Sequence, residues 1–322
     1  MSPKVVVTGA GGFIGSNLVD FLLTKGYQVV GVDNFSTGRR EFLESALENS
    51  NFNLLEIDLL RVEIPESALK NADAVFHFAA NADVRFGPSH PEKDLEQNTI
   101  VTQKVLEAAR KAHIGKFLFS STGSVYGESN IVPTPENAPF PIQTSLYGAS
   151  KLACEGLISA YSESFGMKVW IFRFVSILGP RYSHGHVFDF YKQLMDNPNQ
   201  LVVLGDGHQK KSYLHVEDCI SAIYKSFCGA TERINIFNLG VDDYCEVRDS
   251  IEWITDQLTL QPRIIFGTES KGWVGDNPMI YLDTKSIRNF GWEPHHSIEN
   301  SIRSTVKFIQ ENSWILNDSR NN

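Results

Sequence analysis

Long apolar runs are missing from this chain: nowhere in its 322 residues do apolar side chains continue for the roughly 20 positions that a membrane-spanning helix needs. Cysteine is scarce. The four present, Cys154, Cys219, Cys228 and Cys245, show no CxxC spacing. They read as idle thiols of a reducing compartment, neither a disulfide framework nor a metal site. Excess positive charge is missing too. Lys and Arg number 29 against 38 Asp and Glu, a formal net charge of −9, with no basic stripe or arginine-rich tail. That balance excludes nucleic acid and anionic membrane surfaces as partners. Internal repeats and low-complexity tracts do not occur. The opening MSPKVVVTGAGG passes straight into an expected strand and leaves no room for a signal peptide, so the chain reads as soluble and cytoplasmic.

What the chain does have is a regular beat of strand and helix. Hydrophobic residues make up 42% and charged residues 21%, an ordinary globular balance with ample material for a core. Strands are expected at 4–7, 28–32, 52–57, 74–79, 116–121 and 168–174. Between them, Ile14, Leu18, Phe21 and Leu22 recur at helical spacing up to Gly26, and further helices are expected over 91–112 and 147–165. Strands alternating with helices imply α/β architecture, a doubly wound parallel (Rossmann) sheet. The beat changes past residue 175, where ILGPRYSHGHVF reads as a loop. Shorter mixed elements follow: helices near 187–196, 217–228, 246–260 and 297–313, with strands at 201–204, 212–216 and 263–266. The expected organisation is a nucleotide-binding domain over 1–175 and a smaller, interleaved substrate lobe over 176–322, with a strand at 234–240 returning to the first sheet.

TGAGGFIG sets Gly9, Gly12 and Gly15 three apart, directly after the first strand and at the opening of a helix. A glycine-lined turn lets backbone approach a pyrophosphate, and the helix N-terminus offers N–H groups and partial positive charge. Asp33 ends the second strand, eighteen residues past Gly15. A carboxylate there accepts hydrogen bonds from the adenosine ribose and repels a 2′-phosphate, which selects NAD over NADP; Arg39 and Arg40 are the residues that would suit the phosphate instead. Asp58 and Leu59 close the third strand on the adenine side. Phe78, Ala79 and Ala80 close the fourth, small enough in part for close approach to a dinucleotide. His77 lies mid-strand and reads as a core histidine. Asn98 has a cofactor role only if it faces the sheet edge.

SLYGASK places Tyr147 and Lys151 four residues apart, on one helix face one turn apart. A free tyrosine titrates near 10, too high for a base at neutral pH. A neighbouring ammonium and a positive nicotinamide both favour the phenolate, and proton abstraction from an alcohol then becomes feasible. Thr122 or Ser124, at the end of FLFSSTGSVYG, would hold the alcohol oxygen.

TGAGGFIG, FSSTGSVYGE and SLYGASKLACE together resemble the extended short-chain dehydrogenase/reductase superfamily, in its NAD-dependent nucleotide-sugar epimerase/dehydratase branch, and the likeness runs as far as LDTKSIRNFGWEP. The resemblance implies a catalytic set of Tyr147, Lys151 and Thr122 with Ser124 assisting. It implies cofactor positions at Gly9, Gly12, Phe13, Ile14, Asp33, Asn34, Asp58, Leu59, Ala79, Asn98 and Val175, and a homodimer. Dehydratases of the branch carry Asp-Glu after the threonine and decarboxylating members carry Glu, whereas this chain has Gly123 and Ser124. The implied reaction is therefore 4-epimerisation of a nucleotide sugar through a 4-keto intermediate with tightly held NAD, as in the UDP-glucose 4-epimerases. A 4,6-dehydratase or 4-keto reductase with an acid from elsewhere, such as Glu128, is the alternative, and a non-enzymatic NAD-binding protein is the rival of another class. The substrate side departs from the pattern at three positions. Ser176 replaces an asparagine, Lys211 replaces an arginine, and Trp273 replaces a second arginine. Lys210, Lys211 and Arg181 can restore the charge, or Trp273 can stack on a base or sugar. Uridine is the default nucleotide, and the sugar is open to an N-acetyl group or a carboxylate. His184 and His186 lie in the loop of this lobe.

Overall fold

Short β-branched runs build the central strands. In the computed structural model, which describes residues 2–81, 87, 89–140, 142–269 and 279–317, β1 (Lys4–Thr8) and β2 (Gln28–Asp33) bury Val5, Val6, Val7, Val29, Val30 and Val32. Burial on both faces removes the alternation that a half-exposed strand would show. The remaining strands in chain order are β3 (Phe52–Glu56), β4 (Ala74–His77), β5 (Lys116–Thr122), β6 (Lys168–Phe174), β7 (Ser176–Leu178), β8 (Gln200–Val203), β9 (Lys210–Lys211), β10 (Tyr213–His215), β11 (Ile234–Leu239), β12 (Cys245–Glu246), β13 (Arg263–Phe266) and β14 (Met279–Ile280).

Seven strands form one parallel sheet in the order β11-β6-β5-β4-β1-β2-β3. Val6 pairs with Val30 on one side and Val75 on the other. Helices 101–111 and 146–165 pack on one face, where Val105, Leu106, Cys154 and Ile158 join Val6, Val75, Phe117 and Phe119 in a single core. Burying each such aliphatic side chain contributes about 1.5–3 kcal/mol. The strand order reverses between β1 and β4. In a doubly wound sheet that reversal opens a crevice at the carboxyl ends of the strands, where ligands bind.

Two helices matter most for the site. Helix Leu146–Phe165 begins where Ser145 Oγ accepts the Gly148 N–H at 3.0 Å and stops at Gly166, whose φ of +70° is left-handed. The expected helix 91–112 has the expected extent but not the expected regularity. Its α-helical ends, Pro91–Asp94 and Val101–Lys111, flank a π-helical stretch, Leu95–Ile100. Hydrophobic periodicity does not reveal such an insertion, which turns Asn98 into the interior.

The chain forms two compact units: Met1–Val125, Ser145–Arg173 and Ile223–Phe237; and Tyr126–Thr144, Phe174–Ala222 and Asn238–Asn322. The second unit has short paired strands in place of one large sheet: β7 with β10, β8 with β13, and β9 between β12 and β14. Helices His186–Asp196, Val247–Leu258 and Ile298–Glu311 bury Leu194, Ile254, Ile302, Val306 and Ile309 among them. The loop expected after residue 175 begins instead with a strand. Ile177 and Leu178 of β7 are buried, with Ile177 opposite Leu214 of β10, and three residues are too few for a strand pattern to register. No described helix is long and apolar enough to cross a membrane.

Candidate active site

The carboxyl ends of β1 to β5 carry the sequence-predicted residues of the first unit. After β1, Gly9 takes φ +71°, and a Cβ there would lie 2.6 Å from the Ala79 nitrogen. A Cβ at Gly15 would overlap the Gly9 carbonyl oxygen. Only glycine satisfies both positions. Gly12 is the N-cap of helix Phe13–Thr24, so it brings no capping side chain, and no acidic residue stands in the first turn. Phe13 and Ile14 open that helix, whose N–H groups and dipole suit an anion.

Asp33 ends β2 and is 9% exposed. Its carboxylate accepts the Gly11 and Phe35 N–H groups, each at 2.8 Å. Burial pushes its pKa up, while these backbone bonds and one from Asn34 pull it down. Asn34 turns its own Oδ1 to the Ser36 N–H at 3.0 Å. Arg40 pairs with Glu56, the β3 residue opposite Asp33, at 3.2 Å in an exposed ion pair, and Arg39 is buried. After β3, Asp58 accepts the Leu60 N–H at 3.0 Å and Leu59 is buried. After β4, the Phe78 N–H reaches the Thr8 carbonyl at 3.1 Å, the Ala79 N–H reaches Thr8 Oγ1 at 3.3 Å, and Ala80 follows half-buried. His77 is wholly buried between Thr8 Oγ1 at 2.7 Å and Thr102 Oγ1 at 3.0 Å, and burial pushes it down to about 3, so it stays neutral. A backbone cradle that side chains would fill, with a fixed carboxylate on the next strand, is a donor set that fits an adenine dinucleotide.

The Tyr147 group lies at the end of β5. The Thr122 hydroxyl lies near enough to the Tyr147 phenol to draw its pKa down. Ser124, in the short helix Gly123–Tyr126, bonds Thr122 Oγ1 through its hydroxyl at 3.2 Å and its N–H at 3.1 Å. Lys151 is 2% exposed. Its ammonium donates to the Ser120 carbonyl at 2.9 Å and stands 4.8 Å from the Phe119 ring centre and 6.0 Å from that of Tyr147. Burial dominates both titrations. It pushes Tyr147 up to about 12, against the Thr122 hydroxyl, and Lys151 down to about 8, against the charges of Cys154, Asp94 and Glu155. The protein's own groups leave Tyr147 protonated at neutral pH, and a further positive charge is required to make it a base.

Asn98 is 1% exposed. Its Oδ1 accepts the Asn81 N–H at 2.8 Å, and its Nδ2 donates to Ser150 Oγ at 2.9 Å, which in turn donates to the Tyr147 carbonyl at 2.8 Å. Asn98 thus ties the turn after β4 to the helix of Tyr147. In the second unit, Val175 donates its N–H to Leu239 at 3.0 Å. Ser176 is exposed and opens β7, while Lys211 is half-buried on β9, opposite Cys245 and Ile280. The His186 ring meets the Tyr213 hydroxyl at 3.2 Å and is pushed down to about 3 by burial and by the Lys211 charge. Trp273 lies outside the described residues.

Sequence reasoning missed three partners. Glu155, buried one turn beyond Lys151, takes bonds from Ser121 and from Arg173. The available signals were its spacing of four from Lys151 and a lone arginine inside the apolar strand KVWIFRF. Metal ligation has one geometric candidate among the described residues, His215, Glu217 and His296, with ligand atoms within 4.8 Å of one another. The two imidazole rings stack with centroids 3.9 Å apart and planes 18° from parallel, which sets their lone pairs side by side and does not aim them at one point.

The fold and the dinucleotide cradle define the class first: an α/β protein of the Rossmann type that takes NAD. The model of the NAD dependent epimerase/dehydratase family matches residues 5–240, and the chain belongs to that family. It is 30% identical over 318 residues to a UDP-glucose 4-epimerase of Mycolicibacterium smegmatis, covering 96% of this chain and 99% of that one. Among solved structures, it resembles a UDP-galactose 4-epimerase with a TM-score of 0.85 and 35% identity, over 97% of this chain and all of the other. A UDP-glucuronic acid 4-epimerase from Bacillus cereus, crystallised with UDP-glucuronic acid and NAD, matches with a TM-score of 0.87 and 27% identity over 96% of this chain and 99% of that one.

Proposed function

We propose that this protein is a cytoplasmic NAD-dependent 4-epimerase of UDP-linked hexoses, of the UDP-glucose/UDP-galactose type and open to N-acetylated forms. One observation carries the reading: Tyr147, Thr122 and Lys151 come together at the end of β5, and among the described residues the carboxylates that act on Lys151 are already hydrogen-bonded to other partners. Positions 123 and 124 are Gly and Ser. The carboxylates whose charges reach Lys151 are committed, Asp94 to Asn81 at 2.8 Å and Glu155 to Arg173 at 2.7 Å. Loss of water or carbon dioxide needs acid–base groups beyond one tyrosine. Epimerisation does not.

Gly9–Ile14, Asp33–Asn34, Asp58–Leu59 and Phe78–Ala80 would hold NAD, which when bound would supply an acceptor and then a donor of hydride at the sugar C4. The chain's own part is proton transfer and positioning. Tyr147 takes the proton of the 4-hydroxyl and returns it at the end. Thr122 and Ser124 hold O4, and the Lys151 ammonium favours the phenolate. The 4-keto sugar turns over and regains hydrogen on its other face, so nothing is lost and the net redox change is zero. Ser176, Lys211 and Trp273 serve the nucleotide diphosphate and sugar. A homodimer belongs to the same reading, supported by exposed Leu95, Ile100, Leu146 and Phe165 on helices 91–111 and 146–165, and sedimentation velocity tests it.

The test of function is proton NMR of UDP-glucose, UDP-galactose and their N-acetyl forms incubated with the protein and no added cofactor. Interconversion of a pair, with neither NADH released nor a 6-deoxy-4-keto product formed, is the expected result. A 6-deoxy-4-keto product would make it a dehydratase. Net oxidation of added NADH would make it a reductase.

A further inference from the structure

Tyr147, Lys151 and Glu155 follow one another at intervals of four along helix Leu146–Phe165, and so form one stripe on its inner face. Each member of the stripe meets a different residue at the end of β5. Tyr147 lies by the Thr122 hydroxyl, Lys151 donates to the Ser120 carbonyl at 2.9 Å, and Ser121 Oγ donates to Glu155 Oε1 at 2.5 Å. The third contact differs from the others because it is anchored from behind. Arg173 of β6 donates through Nε to Oε1 at 3.0 Å and through Nη2 to Oε2 at 2.7 Å, a two-pronged fork on the same carboxylate. The side chains of Arg173 and Glu155 are 2% and 6% exposed.

A buried ion pair of this kind is poor evidence for stability, because removing two charges from water costs about as much as their attraction returns. Well-packed apolar residues of similar size would hold helix and sheet together at least as well. What they would not supply is a fixed register, or a negative charge one turn from the Lys151 ammonium. We propose that Glu155, clamped by Arg173 and Ser121, is a positioning residue: it sets the register of the helix that carries Tyr147 and Lys151, and it places a carboxylate one turn from the Lys151 ammonium. This rests on the proposed role of Tyr147 and Lys151 in 4-epimerisation.

The charges around Lys151 define the prediction. Asp94, from helix Pro91–Asp94, and Glu155 and Cys154, from its own helix, favour the ammonium; burial opposes it and brings it down to about 8. Neutral His77 of β4 and the Tyr147 phenol are the other titratable neighbours. Arg173 stands behind Glu155, so Glu155→Gln removes a favourable charge and leaves an unfavourable one.

Two variants and two readouts test the proposal. Lysines labelled at the ε-carbon are titrated by NMR, with Lys151 assigned from Lys151→Met. In Glu155→Gln the Lys151 midpoint falls by roughly half a unit. In the charge-balanced, apolar pair Glu155→Leu/Arg173→Met the midpoint returns towards wild type and thermal stability is retained. With UDP-glucose and UDP-galactose as probes, the double variant has a kcat about 10- to 100-fold lower and a KM within about 2-fold, as expected when reacting groups are misplaced. An unshifted Lys151 midpoint in folded Glu155→Gln overturns the proposal, and so does wild-type turnover by the folded double variant. A wild type that converts neither these sugars nor their N-acetyl forms refutes the proposed function; the NMR titration of Glu155→Gln still decides what Glu155 does to Lys151.

Discussion

The two units solve the problem of placing side chains in different ways. In the first, all but Ser124 of the proposed catalytic group hang on a long element whose geometry is set by its own period, and Ser124 follows two residues after such a strand. Thr122 ends a seven-residue strand, and Tyr147 and Lys151 share one face of a twenty-residue helix. In the second, Lys211 sits on a strand of two residues held by partners about 35 and 69 positions away, Cys245 and Ile280. Ser176 sits on a strand of three. Long periodic elements make chemistry portable, since a tyrosine and a lysine at a spacing of four meet wherever the helix goes. Short strands depend on distant partners, so a replacement there changes what is recognised without disturbing how the reaction runs.

That contrast predicts different kinetic signatures, and the largest belongs to the first unit. Tyr147→Phe removes the only proposed proton carrier while leaving the ring in place. Turnover of UDP-sugars is expected to fall by about 10²- to 10⁴-fold with little change in KM. Residual activity near wild type at neutral pH would mean that another group moves the proton.

Lys151 gives the next effect, and here the sign is informative. Its ammonium titrates near 8 in the folded protein against an ordinary value of 10.5, so the unfolded chain binds that proton more tightly. The wild type is therefore penalised by this group below pH 8 and recovers stability as pH rises from about 8 to 10.5. The full span corresponds to roughly 3 kcal/mol at 1.36 kcal/mol per unit. Lys151→Met lacks the group, so its stability relative to wild type should decline across that window, as measured by urea unfolding at fixed pH values. Activity of the wild type should fall over the same rise in pH as the ammonium is lost. A stability difference that stays flat from pH 8 to 10.5 would show that Lys151 titrates normally.

The same contrast explains what could be read in the sequence. The strands of the large sheet, the helix of Tyr147 and the glycine turn were legible because each is a local signal: branched residues in a run, apolar residues at helical spacing, glycine where a Cβ would strike Ala79 or Gly9. The π-helical stretch at Leu95–Ile100 was not, since one extra residue in a turn leaves the apolar pattern nearly unchanged. Nor was β7, whose partner β10 begins 37 positions later. The pairing of Glu155 with Arg173 spans 18 positions and two elements, and the lone arginine in β6 does not by itself say which carboxylate it meets. Spacing shows that an ammonium is near, but only burial shows how strongly the phenolate is disfavoured.

A smaller effect is expected at the dinucleotide cradle. In Asp33→Asn one side-chain atom becomes a donor facing the Gly11 or Phe35 N–H, both of which the carboxylate now accepts at 2.8 Å. Losing a hydrogen bond to a charged group costs about 1.5–3 kcal/mol. NAD retained through purification should drop by about tenfold or more, and the penalty against NADP should relax with the charge gone. Unchanged NAD content and unchanged discrimination would remove Asp33 from the cofactor site.

The smallest effect tests the second unit itself. Lys211 is a compact point charge where the related pattern has arginine, whose planar fork grips a diphosphate through two bonds. Its removal should weaken binding of the nucleotide diphosphate equally in ground state and transition state, which raises KM and leaves kcat alone. Lys211→Ala is thus expected to raise KM for a UDP-sugar by about 5-fold with kcat within about 2-fold, while Lys211→Arg lowers KM if β9 leaves room for the larger head. The variant carries an internal control. The Lys211 charge helps to hold His186 neutral beside Tyr213, so in Lys211→Ala the imidazole should titrate at a higher pH, which histidine NMR can follow. A fall in kcat with KM unchanged would tie Lys211 to the chemical step and erase the division between a unit that reacts and a unit that recognises.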